Sequence, residues 1–303
     1  MAITAAKKLA DFNGFIKPEL AGHIFDEAAK GSAAMALIKK VPLGASGQAF
    51  PIVTSKPTAN WTAEGAKKHT TEAGLGLVKM EPKKLTAIAV ASQEVIRANP
   101  GGYSETLQAL LADAFARAFD LAVFHNKGGD GTGTSPFETT LAATTKTVTL
   151  GAATDANTYD DIVKAMSLNL QGAPKKQVTG FAFDTGFEID LLTAKDTAGR
   201  PLFAEASYDG LVPALRSGSI LGRPSYLHEN VGMDKTVGFA GDWTKAAWGT
   251  VGGITMDVST EATVTIGGQL VSLYEQNLVA IRAEAEYGFA LADKEAFVKI
   301  MRK

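Results

Sequence analysis

Glycine, serine and carboxylate side chains decide which reactions this sequence could support, so their spacing comes first. The cluster GGDGTGTS at residues 128–135 is rich in glycine, as phosphate-binding loops are, but its lysine, Lys127, precedes the glycines. A P-loop needs a lysine directly after its last glycine. The segment GASGQ around Ser46 lacks the second glycine of a nucleophile elbow. Neither motif predicts phosphate binding or a hydrolase serine.

Metal ligands are a second kind of candidate chemistry. The chain has no cysteine, and its four histidines are His23, His69, His125 and His228. None of them has a second histidine or a carboxylate at the spacing that metal sites use. We therefore expect no metal, no cofactor and no disulfide, and we expect His125 to lie at the end of a helix.

Three charged residues near the C-terminus form a row with a spacing of two. Arg282, Glu284 and Glu286 would share one face of an extended strand, where opposite charges pair with each other or with solvent. This row identifies no enzyme by itself.

Composition limits the classes of function further. The 303 residues can bury a sizeable core, and a net charge of −2 with a pI near 6.1 is not typical of a dedicated nucleic-acid-binding protein. No run of 18 apolar residues occurs, and the N-terminus lacks the apolar core of a signal peptide. We expect a soluble protein that is made in the cytoplasm.

One long helix is the element around which the rest must be placed. Apolar residues recur at helical spacing between Ser104 and Asn126, which predicts a helix roughly 34 Å long. The members of this stripe are Leu107, Leu110, Leu111, Ala114, Ala118, Leu121, Ala122 and His125. Charged residues at 113, 117 and 120 predict that the opposite side faces solvent. Before the helix we expect a strand at 85–91, a cap at Ser92 and a short helical turn that carries Glu94.

A hairpin with a polar tip precedes this strand. Apolar residues at 50–53 and 75–91 predict two long arms, and Trp61 is the only large apolar residue between Ser55 and Gly74. A tip without a core of its own indicates that the hairpin finds its partner on another molecule.

The remaining segments predict alternating helices and strands. Residues 152–250 contain a capped helix after Asn157 and several short strands, which indicates a separate α+β domain. Residues 279–289 alternate with period two, as in a half-buried strand, and residues 296–300 predict a closing apolar strand. Ahead of the hairpin, residues 1–45 predict an arm with one helix, at Ile24–Ala29 and again at Ala33–Ile38.

Several motifs, taken in order, resemble one known family. They are ANWTAEGAKK in the hairpin, KMEPKKLTAIAVASQEVI before the long helix, GGDGTG after it, then GRPLF, LGRPSY, GDW and QNLVAIRAEAEYGFALADKEAFVKI. Each is weak alone, but together they span residues 45–300. In this order they are similar to the major capsid proteins of tailed bacteriophages with the Hong Kong 97 type fold, which bacterial encapsulins share.

The resemblance implies an α+β fold in four parts. These are an N-terminal arm (1–45), an extended loop (46–92), a peripheral domain (93–151 and 251–303) and an axial domain (152–250). It also implies that the protein is not an enzyme, apart from possible self-crosslinking, and that its copies form pentamers and hexamers of an icosahedral virion shell around double-stranded DNA.

The resemblance further implies helpers and leaves alternatives open. Only about 45 residues precede the extended loop, so we expect a separate scaffolding protein, together with a portal and a possible decoration protein, and no membrane. An encapsulin-type nanocompartment around an enzyme cargo is the alternative within the fold, and a cytosolic α+β enzyme is a remote one.

The family's crosslinking reaction supplies the candidate site residues. Aligning AEGAKK with the family's loop places Lys68, or Lys67 if the register shifts by one, at the lysine that forms an isopeptide bond between subunits. Aligning NLVAIRAE places Asn277 at the asparagine and Glu284 at the assisting glutamate. Many relatives are not crosslinked, and a surface lysine, a strand-start asparagine and an arginine-paired glutamate are the plain alternatives.

Overall fold

The computed structural model of the chain describes residues 31–98, 103–152, 157–172, 174–195, 199–201, 203–205 and 215–303. Its helices are α1 (Ala33–Leu37), α2 (Gln93–Ala98), α3 (Tyr103–His125), α4 (Thr158–Leu170) and α5 (Glu188–Thr193). Its strands are β1 (Lys39–Lys40), β2 (Gln48–Ser55), β3 (Gly74–Met80), β4 (Lys83–Ser92), β5 (Thr147–Thr149), β6 (Gly180–Phe183), β7 (Phe203–Glu205), β8 (Arg216–Ile220), β9 (Arg223–Leu227), β10 (Thr236–Gly241), β11 (Ala246–Thr250), β12 (Thr255–Ser259), β13 (Thr263–Ile266), β14 (Gln269–Ser272), β15 (Leu278–Leu291) and β16 (Phe297–Met301). The predicted α+β class is confirmed.

Helix α3 is the predicted long helix, displaced by one residue at each end. Its buried side includes Leu111, Phe115 and Phe119, whereas Leu110 and Ala114 are exposed although the apolar stripe includes them. In the first half of the helix, fewer residues of the apolar stripe are therefore buried than the sequence predicted. From residue 118 to 124 every residue is buried, so the second half of the helix lies within the core.

Strand β15 is the centre of a five-stranded sheet that packs against α3. It pairs with β4 along one edge and with β12 and β11 along the other, while β1 adds to β11 in parallel. Phe119 of α3 contacts Tyr287 of β15 and Trp248 of β11, with ring centroids 5.5 and 5.8 Å apart. Residues 281–287 alternate as predicted, but β15 is buried on both faces from Tyr287 onwards.

A seven-stranded sheet forms the second layer, in the order β5-β16-β10-β6-β9-β8-β7. Helix α4 covers it, and Phe124 of α3 contacts Phe239 of β10 with ring centroids 5.4 Å apart. Strand β16 belongs to this sheet, although the sequence assigned it to the same peripheral domain as the long helix. Strand β11 belongs to the five-stranded sheet, although the sequence assigned it to the axial domain. The four-part domain division stays a prediction.

The predicted hairpin is present, but its second arm is shorter than expected. Strands β2 and β3 pair from Gln48↔Met80 to Ser55↔Gly74. After Met80 the chain turns, and β4 leaves the hairpin to pair with β15 over ten positions, because this edge of β15 supplies the longest ladder. The second arm thus ends at Met80 instead of residue 91.

The local signals around α2 and α4 are confirmed. The hydroxyl of Ser92 accepts the backbone N–H of Val95 at 3.3 Å, and Asn157 accepts that of Tyr159 at 3.2 Å. The predicted helix at residues 24–29 and the break at residues 99–102 lie outside the described residues.

Candidate functional site

The outward face of the β2–β3 hairpin is apolar. Pro51 is paired with Leu77, and Val53 is paired with Leu75, so these four side chains form a contiguous patch, here called the apolar quartet. Val53, Leu75 and Leu77 are 61%, 75% and 68% exposed. The alternate residues, among them Phe50, face the body of the protein. The hairpin is thus apolar on both faces and covered on only one.

The tip of the hairpin, residues 56–73, is exposed throughout. Within it, the Thr58 N–H donates to the hydroxyl of Thr71 at 2.9 Å. Trp61 is fully exposed and lines a shallow hollow that also includes Lys68 and His69. The candidate crosslinking lysine therefore lies beside the largest exposed aromatic side chain of the tip, and Lys67 is exposed next to it.

Asn277 lies in the turn that leads into β15. Its φ of 54° is in the left-handed region, which asparagine tolerates better than most residues. Its carbonyl accepts the Gln93 N–H at 3.0 Å, and its carboxamide donates to the carboxylate of Glu94. The backbone amide of Glu94 and then this contact hold the pKa of Glu94 below its usual value. Asn277 therefore ties α2 to the start of β15.

Glu284 lies on the outer face of the five-stranded sheet. Its carboxylate accepts from the Lys84 ammonium at 3.0 Å and lies 3.5 Å from Nε of Arg282. Arg282 in turn donates to Asp257 at 2.7 Å, and this hydrogen bond is the first cause that raises the pKa of Arg282. The predicted charged row is therefore present, with Lys84 as the partner that sequence reasoning missed.

Within one chain the three candidate crosslinking residues are not brought together. Asn277 directly precedes β15, and Glu284 lies six residues along that strand from Leu278, roughly 20 Å at 3.3 Å per residue. Each is engaged by neighbours within its own subunit, and Lys68 lies on the projecting tip. A site that uses all three would have to combine residues from different copies of the chain.

The glycine-rich loop after α3 is closed on itself. The Asp130 carboxylate accepts the Thr132 N–H at 2.9 Å and its hydroxyl at 2.6 Å, and the hydroxyl contact is the main cause that lowers the pKa of Asp130. His125 is the last residue of α3, as predicted, and burial lowers its pKa.

The described residues form neither a metal site nor a membrane span. Among the residues that the structure describes, no group of three or more histidine and carboxylate side chains could hold a metal ion. None of the helices in that part of the chain combines the length and the hydropathy of a membrane span.

Asp120 is a buried polar residue that the helical pattern assigned to the solvent side. Its exposure is 0%, so that prediction is wrong. Its carboxylate accepts the Ser32 hydroxyl at 2.6 Å and the N–H groups of Ala33 and Ala34 at 3.2 and 3.1 Å. Asn230 donates to it at 3.5 Å from the other side.

A sequence signal for the burial of Asp120 does exist. Arg117 is the last charged residue before Asp120, and the neighbouring positions Phe119, Leu121, Val123 and Phe124 are apolar, so the helix has no polar face after Arg117. Burial raises the pKa of Asp120, and the hydrogen bonds from Ser32 and Ala34 oppose that effect.

Comparison with known proteins extends over nearly the whole chain. A model of the phage capsid family matches residues 13–301. The probable major capsid protein gp17 of Mycobacterium phage D29 is 40% identical over 293 residues, covering 95% of this chain and 90% of that protein. Its counterpart in Mycobacterium phage L5 is 41% identical over 300 residues, with the same two shares. A solved structure from Mycobacterium phage Ogopogo matches with a TM-score of 0.73 at 21% identity, covering 90% of this chain and 92% of that one.

Proposed function

Because the chain belongs to the phage capsid family, we propose that its copies assemble through pentamers and hexamers into the closed icosahedral head of a tailed phage. The family and the Hong Kong 97 type fold expected from the sequence motifs are confirmed. The chain is a major capsid protein, a structural subunit of the virion capsid. The encapsulin alternative is not favoured, since the matched proteins are phage capsid proteins.

The apolar quartet is the observation that supports assembly through the hairpin. A two-stranded hairpin is marginally stable in water, and contiguous exposed apolar patches mark interaction sites. On this chain such a patch lies on an element that projects from the core. We expect the hairpin to lie over a neighbouring subunit, which covers the quartet.

The DNA inside the shell and the other proteins that take part in assembly belong to the same proposal. A net charge of −2 suits a wall that contains double-stranded DNA without binding any sequence tightly. A scaffolding protein, a portal and a decoration protein would be separate chains that meet this one during assembly in the host cytoplasm.

Electron microscopy of purified particles tests the shell and its contents together. Closed particles with internal DNA and tails are expected, and tail-less shells around a protein cargo would favour the encapsulin alternative. A stable monomer in gel filtration that never assembles would contradict both and leave the cytosolic enzyme.

Deleting residues 56–73 tests the role of the hairpin tip. Because the tip lies outside the core clusters, the deleted chain should stay folded and soluble but should no longer form closed shells. An unfolded product would contradict the projecting arrangement.

We also propose that mature shells are crosslinked between subunits. In this reaction the neutral amine of Lys68, or of Lys67, attacks the carboxamide carbon of Asn277, Glu284 takes a proton from the attacking nitrogen and passes it to the departing nitrogen, and ammonia leaves. The exposure of Lys68 on the tip supports this proposal. The contacts of Asn277 with Glu94 and of Glu284 with Lys84 oppose it, since both would have to be exchanged for contacts with other subunits.

A denaturing gel of boiled mature particles tests the crosslink. Crosslinking predicts ladders that the Lys68→Ala and Glu284→Ala variants abolish, while His69→Ala, a change at the adjacent exposed position, retains them. A single band near 31.7 kDa from DNA-filled particles would contradict it.

A further inference from the structure

A second lysine and a second asparagine are in direct contact within one chain. The Nζ atom of Lys146, which directly precedes β5, donates to Oδ1 of Asn169 in the last turn of α4 at 2.7 Å. Asn169 is fully buried, and its Nδ2 donates to the carbonyl of Ala296 at 2.8 Å. Both ends of the carboxamide are held, so its carbon stays beside the lysine nitrogen.

Carboxylates and a further lysine surround this pair. Glu295 accepts from the N–H and the hydroxyl of Thr145, the residue next to Lys146, at 3.3 and 2.8 Å. Asp293 forms an ion pair with Lys176 at 2.6 Å and is thereby partly neutralised. Within the part of the chain that the structure describes, Glu295 is therefore the carboxylate of this cluster that has no lysine at ion-pair distance.

The surroundings favour the uncharged amine of Lys146 in part. Burial, and then the charge of Lys176, lower the pKa of Lys146, while Glu295 and Asp293 act in the opposite direction. A lysine with a lowered pKa is neutral more often, and only the neutral amine is a nucleophile.

From this geometry we propose that Lys146 and Asn169 condense to an isopeptide bond within the same chain. Glu295 takes a proton from the Lys146 ammonium, and the neutral amine attacks the side-chain carbon of Asn169. The attacking nitrogen gives one of its two remaining protons to Nδ2, and Nδ2 also receives the proton held by Glu295. The bond between Nδ2 and that carbon then breaks, the nitrogen leaves as ammonium, and Glu295 is again a carboxylate. No electrons are transferred, so the step needs no oxidant or co-reactant.

The bond would act as an internal clamp. It would join the segment before β5 to the end of α4, across 23 residues of chain, on the seven-stranded sheet. Closing a loop covalently restricts the unfolded chain. The clamp does not depend on the proposed crosslink between subunits, since it involves different residues and leaves each chain a separate band on a gel.

Mass spectrometry of the purified wild-type chain and of mature particles tests this proposal. The expected results are an intact mass lower than the sequence mass by one ammonia, no tryptic cleavage after Lys146, and a linked peptide pair whose fragments join Lys146 to Asn169. A succinimide at Asn169 also loses ammonia, but it leaves Lys146 open to trypsin. The full sequence mass together with tryptic cleavage after Lys146, in both samples, would overturn the proposal.

Three variants separate the clamp from a mere hydrogen bond. Lys146→Arg keeps a cationic donor but has no nucleophilic amine, so we expect the full sequence mass. Glu295→Gln can still bond Thr145 but cannot take a proton, so linkage should slow by about 100-fold. Lys176→Arg keeps the ion pair with Asp293 and should link like the wild type. An ammonia loss that persists in Lys146→Arg would overturn the assignment.

Discussion

At the scale of single residues, Asp120 shows how a charge is accommodated inside the core. Its partners on α1 and near β9 are all donors, which matches the acceptor capacity of an ionised carboxylate. Ser32 also caps α1, since its hydroxyl accepts the Met35 N–H at 3.1 Å. His228 lies 3.9 Å away, beyond hydrogen-bond distance. Asp120 thus ties the first described helix and the second sheet to α3.

Replacing Asp120 with asparagine should destabilise the unassembled subunit. The amide would place two donors among donors and leave a buried N–H without an acceptor, a loss of about 1–3 kcal/mol in the free energy of unfolding. Urea unfolding of the wild type and of Asp120→Asn measures the difference. A variant as stable as the wild type would contradict the assigned hydrogen bonds.

The difference in stability between the wild type and Asp120→Asn should depend on pH. Because burial raises the pKa of Asp120 above its ordinary 3.8, the folded state holds the proton more tightly than the unfolded state. Its contribution to stability is then largest below the ordinary pKa and is lost as the pH rises through the folded pKa. The stability difference between wild type and Asp120→Asn should therefore grow from pH 7 towards pH 4. A difference that shrinks on acidification would contradict the raised pKa.

Hydrogen bonds between residues close in sequence were predictable, and contacts between residues far apart in sequence were not. Ser92 and Asn157 cap helices because their acceptors reach N–H groups two or three residues away, which a sequence displays directly. The partners of Asp120 are 86 to 110 residues away, and Lys84 meets Glu284 across 200 residues. No spacing rule covers contacts that the tertiary fold creates.

At the scale of elements, α3 carries two adjacent leucines in opposite environments. Leu111 is 6% exposed within the main core, whereas Leu110 is 61% exposed. Leu111→Ala should lower the free energy of unfolding of the subunit by about 2–5 kcal/mol, because it removes buried methyl groups and leaves a cavity. Leu110→Ala should change it by less than about 0.5 kcal/mol. Equal effects in chemical denaturation would contradict this orientation of α3.

The period of a strand was predictable, but its sheet was not. Alternation identified β15, and the apolar run after Glu295 identified β16. Nothing in the sequence of β16 indicates that it pairs with β10 and β5, since backbone pairing leaves no mark on side-chain periodicity. The predicted second arm of the hairpin reached residue 91 for the same reason. Strands β3 and β4 are both apolar and extended, so the sequence does not show where one ends and the other begins.

At the scale of the whole molecule, the hairpin is the element whose outer apolar face stays uncovered in an isolated chain. The sequence predicted its polar tip and its need for a partner, but it did not separate its two apolar faces. The register does so, because the Val53↔Leu75 pair places Val53, Leu75 and Leu77 on the outer face. The inner face, with Phe50 and Val78, packs against the subunit itself.

Removing the outer face should therefore affect assembly without unfolding the subunit. The double change Leu75→Ser and Leu77→Ser replaces side chains that are already exposed, so the thermal unfolding of the unassembled chain should stay close to that of the wild type. In a shell, each leucine that a neighbouring subunit covers should stabilise the contact by about 1.5–3 kcal/mol. The double variant loses this free energy at every subunit. Closed particles should then be scarce by electron microscopy. Leu270→Ser is the matched control, since Leu270 is 79% exposed on the separate β13–β14 hairpin. Particles from the double variant in wild-type yield would show that the apolar quartet does not form the contact between subunits.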